Sequence, residues 1–356
     1  MKTNTTFLRA LFLFIIITVV TSCNKNDDSS EPIPTNSVFG KWEVTSGQIA
    51  MNDSKYVYIN EDNTILILSE DERGFRDSYT TNITITENQI VLSGGGQGGS
   101  SINNFTLEEN KLTIIVPYDA PPAILERRAN DNNGDNWVKS LNILEQGNAP
   151  WGRDNDITFD GEFILGYHSE DRNILQINPN DFSIAGTIPT TNYPNALEIE
   201  KSDSPHRQLF QGGSGNGRFD SYLYSSNSEY YTSEPLGAHM RGIASIEPGQ
   251  LWVNSHNAEK LYKYKSNGSL SPGEILQTID LNFQPRGMDY RDGYLYMVRY
   301  DKIYKCTTTP DLKAIETYSL KKHDIDGITF DGTNFWLNAE SYDEDGYKLI
   351  KVDLSL

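Results

Sequence analysis

ITFDG, at Ile157–Gly161, recurs unchanged at Ile328–Gly332, 171 positions later. Such identity is either a duplicated site or the best-kept part of a longer repeat, and the residues in between decide. Divergent relatives start at Asn195 (NALEIEKS), Arg241 (RGIASIEPGQLWVNSH) and Arg286 (RGMDYRDGYLYMVRY). With NDITFDGEFILGYHS from Asn155 and DGITFDGTNFWLNAE from Asp326, the starts step by 40, 46, 45 and 40 residues. Each copy opens on a small or polar pair, continues as a short apolar strand, turns, and enters an aromatic-rich second strand. A third strand follows (NILQI, KLYKY, KIYKC, KLIKV), then a fourth (SIAGTIP, ILQTIDL, AIETYSL).

Four strands per repeat at this period predict the blades of a β-propeller, five of them. The fifth repeat reaches Leu356 after its third strand. NWVKSLNIL, Asn136–Leu144, resembles the fourth strands elsewhere, and is the expected donor that closes the last blade without an open edge. ITFDG is then an inner strand with its turn. Asp160-Gly161, Asp292-Gly293 and Asp331-Gly332 read as turn residues where φ > 0 is needed, not as catalytic aspartates.

Upstream, from Val38 to about Asn130, short strands follow one another: GKWEVTS, KYVYIN, TILILS, SYTTNITIT, QIVLS, INNFTL and KLTIIV. Hairpin chemistry such as NEDN at Asn60–Asn63 joins them, and strands of this size close into a small up-and-down barrel. The predicted fold is all-β: a barrel over 38–130 and a five-bladed propeller over 131–356. The glycine-rich loop Ser93–Ser101 lacks the Lys-Ser/Thr and the helix that a phosphate loop needs, so it reads as a hairpin loop. The opening Gly40-Lys41-Trp42, the meander and a terminal LERR (Leu125–Arg128) resemble the lipocalin-like domains of bacterial lipoproteins. That resemblance implies a barrel able to carry an apolar molecule, whereas Trp42 reads as a plug in the barrel core.

The N-terminus points the same way. Lys2 and Arg9 precede an apolar run, Ala10–Val20, too short to span a bilayer comfortably, and small residues lead to Cys23. Residues 1–22 read as a signal peptide, and Val20-Thr21-Ser22-Cys23 resembles a bacterial lipobox, which implies lipidation of Cys23. Residues 23–37 are polar and Pro-containing, suited to a tether. Lys25 with Asp27-Asp28 resembles the surface-export signal of Bacteroidota lipoproteins. The expected location is the outer membrane, at the cell surface or on the periplasmic side. The other cysteine, Cys306, lies in a strand-like run and reads as a packed thiol. A net charge of −19 repels phosphate backbones and argues against a nucleic-acid partner.

In a propeller the loops before the inner strand and after the second strand share one face. The first column reads Asn155, Asn195, Arg241, Arg286 and Asp326; the second reads His168, Ser214, His256, Tyr300 and Glu340. His168, His256 and Glu340 have the chemistry of a divalent-metal triad, but second-strand radius sets them too far apart, and no cofactor is expected. Arg241 and Arg286 could fork a carboxylate or another anion, or could pair with Asp326 and hold the loops. DNNGDN (Asp131–Asn136) lacks the Glu of a calcium loop, and GGSGNG (Gly212–Gly217) reads as a lip over the face. The leading expectation is a membrane-anchored binding or scaffold lipoprotein whose face holds a protein or a polar, anionic ligand. The alternatives are a propeller enzyme of the lactonase, lyase or glutamine-cyclotransferase type, and an apolar carrier. If Cys23 is the anchor, Cys23→Ala should move the protein from the membrane fraction to the soluble fraction with its melting temperature unchanged. Fractionation that leaves the variant in membranes would rule the anchor out.

Overall fold

The structure, a computed structural model, describes residues 37–49, 53–93, 101–115, 121–129, 137–153, 155–190, 193–213, 217–237, 239–266 and 273–354. Cys23 with its flanking segment, most of Ser93–Ser101, Asp131–Asn136 and Ser214 lie outside the described residues.

Strands β1 (Gly40–Ser46), β2 (Ser54–Ile59), β3 (Thr64–Glu70), β4 (Arg76–Ile85), β5 (Gln89–Leu92), β6 (Ser101–Glu108), β7 (Lys111–Ile115) and β8 (Ala123–Arg128) close a barrel in chain order. The ring is completed where β8 returns antiparallel to β1, with Trp42 opposite Arg127. Alternation along each strand sends one set of side chains inward, and Trp42, Val57, Ile67, Ile90, Leu112 and Leu125 pack there in one cluster. Trp42 is fully buried, and its indole N–H donates to the Val38 carbonyl at 2.8 Å. The Arg127 guanidinium lies 4.3 Å over its ring and donates to the Phe39 carbonyl at 2.9 Å.

The second domain is a propeller of five sheets among the described residues. Its inner strands are Ile157–Phe159, Pro194–Ile199, Ile243–Glu247, Met288–Arg291 and His323–Phe330, which begin blades one to five. Each inner strand packs on the next, and the fifth packs back on the first. The two ITFDG copies fold alike. Gly161 and Gly332 both have φ of +99°, where a side chain would be strained. The carboxylate before each caps the turn: Asp160 accepts the N–H of Glu162 and Phe163 at 2.8 and 2.6 Å, and Asp331 those of Thr333 and Asn334 at 2.7 Å. Asp292 and Gly293 also have positive φ. These aspartates are turn formers, as the sequence implies.

Closure differs in detail from the expected single strand Asn136–Leu144. The linker makes two strands, β9 (Lys139–Ser140) and β10 (Asn142–Asn148). β10 is the outer strand of blade five, antiparallel to Tyr347–Asp353, with Asn142 opposite Asp353 and Asn148 opposite Lys348. β9 runs parallel to Lys313–Ser319 and adds a fifth strand to blade four. The reason lies at Trp137, which belongs to the barrel side: it meets Tyr56 edge-on at 5.7 Å and donates to the Ser69 carbonyl at 3.1 Å. With Trp137 held there, the chain reaches blade five only beyond Leu141.

The barrel also grips the propeller directly. Phe75, between β3 and β4, is buried among Phe283, Tyr304, Leu312 and Ala314 of blades three and four. Its ring is 4.7 Å from Phe283 and 5.1 Å from Tyr304. Around it the Ala314 N–H donates to the Arg73 carbonyl at 2.9 Å, and Asn282 donates to Asp71 at 2.6 Å.

Replacing Glu145 and Gln146 together by proline removes ladder N–H groups from β10. The expected result is a lower melting temperature and concentration-dependent aggregation through the uncovered edge. A variant that melts like wild type would show that β10 does not close the ring.

Candidate functional site

The inner strands converge so tightly that the axis is filled rather than open. A Cβ on Gly287 would lie 2.6 Å from an Asp156 carboxylate oxygen, and one on Gly327 would lie 2.8 Å from the Asn155 carbonyl. Into this space blade one sends Asp156, only 1% exposed. Its carboxylate accepts the N–H of Ile157 at 3.0 Å, Ile328 at 3.2 Å and Met288 at 3.4 Å, so one side chain joins blades one, four and five. Burial pushes this carboxyl well above its usual range, against the pull of those donors.

Deeper in the axis sits a second buried acid, Glu198 of blade two. It accepts from the Thr158 hydroxyl at 3.0 Å and from the Ser245 N–H at 2.8 Å. Beside it Lys201 pairs with Asp289 at 2.7 Å. Burial raises the Glu198 pKa to about 8; Lys201 opposes the shift and Asp289 adds to it.

On the face above this plug lies a cavity of about 290 Å³ lined by Arg153, Arg241, His256, Gln284, Arg286, Arg299 and Tyr300. Its walls come from the ends of strands in blades three and four, with Arg153 added from the loop that leads into blade one. Arg241 and Arg286 stand just before the inner strands; His256 follows the second strand Gln250–Ser255, and Arg299 ends and Tyr300 follows the second strand Tyr294–Arg299. Buried Asn254 ties the two arginine loops together. Its carboxamide oxygen accepts the N–H of Arg241 and Gly242 at 3.0 and 2.9 Å, and its NH₂ donates to the Pro285 carbonyl at 2.6 Å. The Arg286 N–H donates to the Val298 carbonyl at 2.9 Å, which fixes the second loop to its own blade.

The guanidinium groups are arranged by cation–π contact and by buried acids. Arg286 pairs at 2.8 Å with both Asp324 and Asp326 of blade five. Burial alone would lower its pKa, but the two carboxylates more than offset this and raise it. Arg153 stands 3.8 Å from Asp324. Arg286 and Arg299 both lie over the Tyr300 ring, at 5.3 and 4.8 Å from its centre. The N–H groups of a guanidinium held over a ring stay available to carboxylate, phosphate or sulfate oxygens.

Of the residues singled out from the sequence, Arg241, His256, Arg286 and Tyr300 line this cavity, and Asp326 lies behind Arg286. The pairing of Arg286 with Asp326, one of the two sequence alternatives, is present, and the cavity persists beside it. The others do not line it. Asn155 is buried and donates to the carbonyls of Gly152 and Tyr167, both at 3.1 Å. The Asn195 carbonyl accepts the Asp156 N–H at 3.0 Å. His168 is 3.2 Å from Asp171 within its own turn. Glu340 is the cross-strand neighbour of Asp324. Among the described residues, no three His, Cys, Asp or Glu side chains are grouped to hold a metal ion. Sequence reasoning missed Arg153, Gln284, Arg299 and Asp324. Each lies one or two residues outside the aligned columns, and the signal available was their charge or polarity near the ends of strands on one face.

No protein-family model and no curated protein matches the chain. Among solved structures it is similar to the glutaminyl cyclase of Myxococcus xanthus, at 10% identity over 61% of this chain and 97% of that one, with a TM-score of 0.47. It is similar also to the WD40 β-propeller domain of Doa1, at 9% identity over 89% and 98%, with a TM-score of 0.39. A third is the PQQ-bound aldose sugar dehydrogenase of Streptomyces coelicolor, at 11% over 60% and 98%, with a TM-score of 0.37. None of these likenesses bears on what this chain binds.

The axial acid gives a pH signature. A free glutamate carboxyl titrates at about 4.3, so between that pH and about 8 the folded protein holds a proton on Glu198 that the unfolded chain has lost. Its contribution to stability is complete below the lower value and is lost as pH rises through the upper one, at no more than about 1.4 kcal/mol per pH unit. Glu198→Gln should therefore lose less stability than wild type between pH 5 and pH 8 in denaturant titrations. Parallel profiles for the two proteins would show that Glu198 is ionised in the fold.

Proposed function

We propose that this chain is a membrane-anchored binding protein whose propeller face holds a small, polar, anionic ligand. One observation carries the reading: four guanidinium groups, from Arg153, Arg241, Arg286 and Arg299, line one cavity on a chain of net charge −19. Cations gathered within a cavity repel one another, and a bound anion relieves that repulsion. At about 290 Å³ the cavity is at the lower end of small-molecule sites, which span roughly 300–1,000 Å³, so the ligand is small. Every lining residue carries a hydrogen-bonding group, which suits an oxyanion with polar substituents rather than a hydrocarbon. The lipobox-like Cys23 and the polar segment after it support the anchor, and the Lys25-Asp27-Asp28 resemblance supports a surface location. The apolar cluster packed inside the barrel supports a structural role for the first domain.

Arg286 is a poor residue to delete as a test, because its loss strands Asp324 and Asp326, which are 5% and 2% exposed. Arg286→Ala should cost about 3–5 kcal/mol of stability, as breaking buried ion pairs does. Arg241→Ala combined with Arg299→Ala should leave the fold intact and weaken anion binding at least about tenfold, or about 1.4 kcal/mol. Calorimetry with citrate, sulfate and inorganic phosphate at fixed ionic strength measures this. A wild-type protein that binds none of the three has no anion site on this face.

A further inference from the structure

Tyr300 combines features that packing does not explain. It joins the second and third strands of blade four, in the two-residue connection between Arg299 and Lys302. Its backbone has φ of +52°, the left-handed region in which a bulky side chain is an outlier and Gly, Asn or Asp is favoured. Strain of this kind is often offset by burial of the ring in a core. Here the residue is 51% exposed, so burial gives little return. What the ring does touch is chemical: Arg286 and Arg299 are both over it, and the residue itself lines the cavity. The turn's structural contact, donation of the Ile325 N–H to the Tyr300 carbonyl at 2.7 Å, is made by backbone and would survive any side chain.

A guanidinium held over a ring samples fewer orientations than the same group on a free side chain. Two such groups over one ring have their N–H groups restrained together. A forked oxyanion can bridge such N–H groups with parallel hydrogen bonds, while a spherical anion gains charge attraction without that geometry. Arg286 is anchored further through Asp324 and Asp326, so its plane is set from both sides.

We infer that the arginine pocket selects forked oxyanions (carboxylate, sulfate or phosphate) over spherical anions, and that Tyr300 is the positioning residue that gives it this selectivity. The inference rests on the anion-binding reading above and adds the ligand class and the residue that sets it. Two variants of the full-length protein test it. Tyr300→Asn suits the left-handed backbone and removes the ring; Tyr300→Phe keeps the ring. Competition calorimetry with citrate and sulfate against chloride and bromide, at constant ionic strength, reads the selectivity, and differential scanning calorimetry reads the fold.

Tyr300→Asn should melt at or above the wild-type temperature, bind citrate and sulfate about tenfold more weakly, and keep its affinity for the halides. Tyr300→Phe should bind as wild type does. Unchanged oxyanion affinity in Tyr300→Asn would overturn the inference while leaving the pocket standing. So would equal losses in Tyr300→Asn and Tyr300→Phe, or a drop in the melting temperature of Tyr300→Asn. A wild-type protein that binds halides as well as oxyanions removes the selectivity alone. One that binds no anion removes the pocket reading together with this one.

Discussion

The close approach of five inner strands at a common axis is the constraint on which the rest of the propeller depends. Gly287 leads into one of those strands and Gly327 lies within another, and a Cβ at either would meet neighbouring atoms at less than 3 Å. The space freed at Gly327 is taken by the blade-one backbone and that at Gly287 by one carboxylate, Asp156, which collects N–H donors from three blades. A buried acid is costly unless it is hydrogen-bonded or protonated, and this one has both remedies available: donors on both oxygens and a raised pKa. Glu198 repeats the arrangement one level down, bonded to blades one and three. The axis is thus held by polar side chains that accept from backbone and hydroxyl donors across the ring.

The pocket follows from that packing. The backbone that leads into each inner strand must lie near the axis, so whatever residue precedes the strand is delivered to one face. In blades three and four that residue is arginine, and Asn254 locks the two loops to each other. Blade five supplies Asp324 and Asp326, which turn Arg286 from a mobile cation into a fixed one. A buried pair of this kind adds little net stability compared with an apolar replacement, and its worth lies in orientation. Tyr300 does the same for the face of the guanidinium that the acids leave open.

Among the described residues the two domains meet through a wedge, a strap and an ion pair between Asp77 and Lys302. Phe75 is an apolar wedge between blades three and four, with hydrogen bonds around it. The linker is a covalent and hydrogen-bonded strap, in which β9 extends blade four and β10 completes blade five. These contacts fall on blades that carry or flank the arginine pocket. The barrel thus packs against the blades that form the site, and its own interior is filled with side chains.

Much of this was legible in the sequence because it is periodic or local. The repeat spacing specified four strands per blade, and the Asp-Gly turns are written in residues whose backbone preferences are intrinsic. The barrel meander could be read from alternation, and the Arg column from aligning one blade with the next. What tertiary structure decided was everything that depends on distance between segments far apart in the chain. Trp137 is claimed by the barrel, so the closing strand starts at Asn142, near the end of the stretch that resembles one. Asn155 and His168 occupy the aligned columns, yet their side chains turn to blade one and the loop before it. Arg153 and Arg299 fall outside the columns, yet reach the same cavity as Arg241 and Arg286. A column records where the backbone arrives, whereas a site is made by side chains several ångströms long. Only the packed ring determines which of them meet.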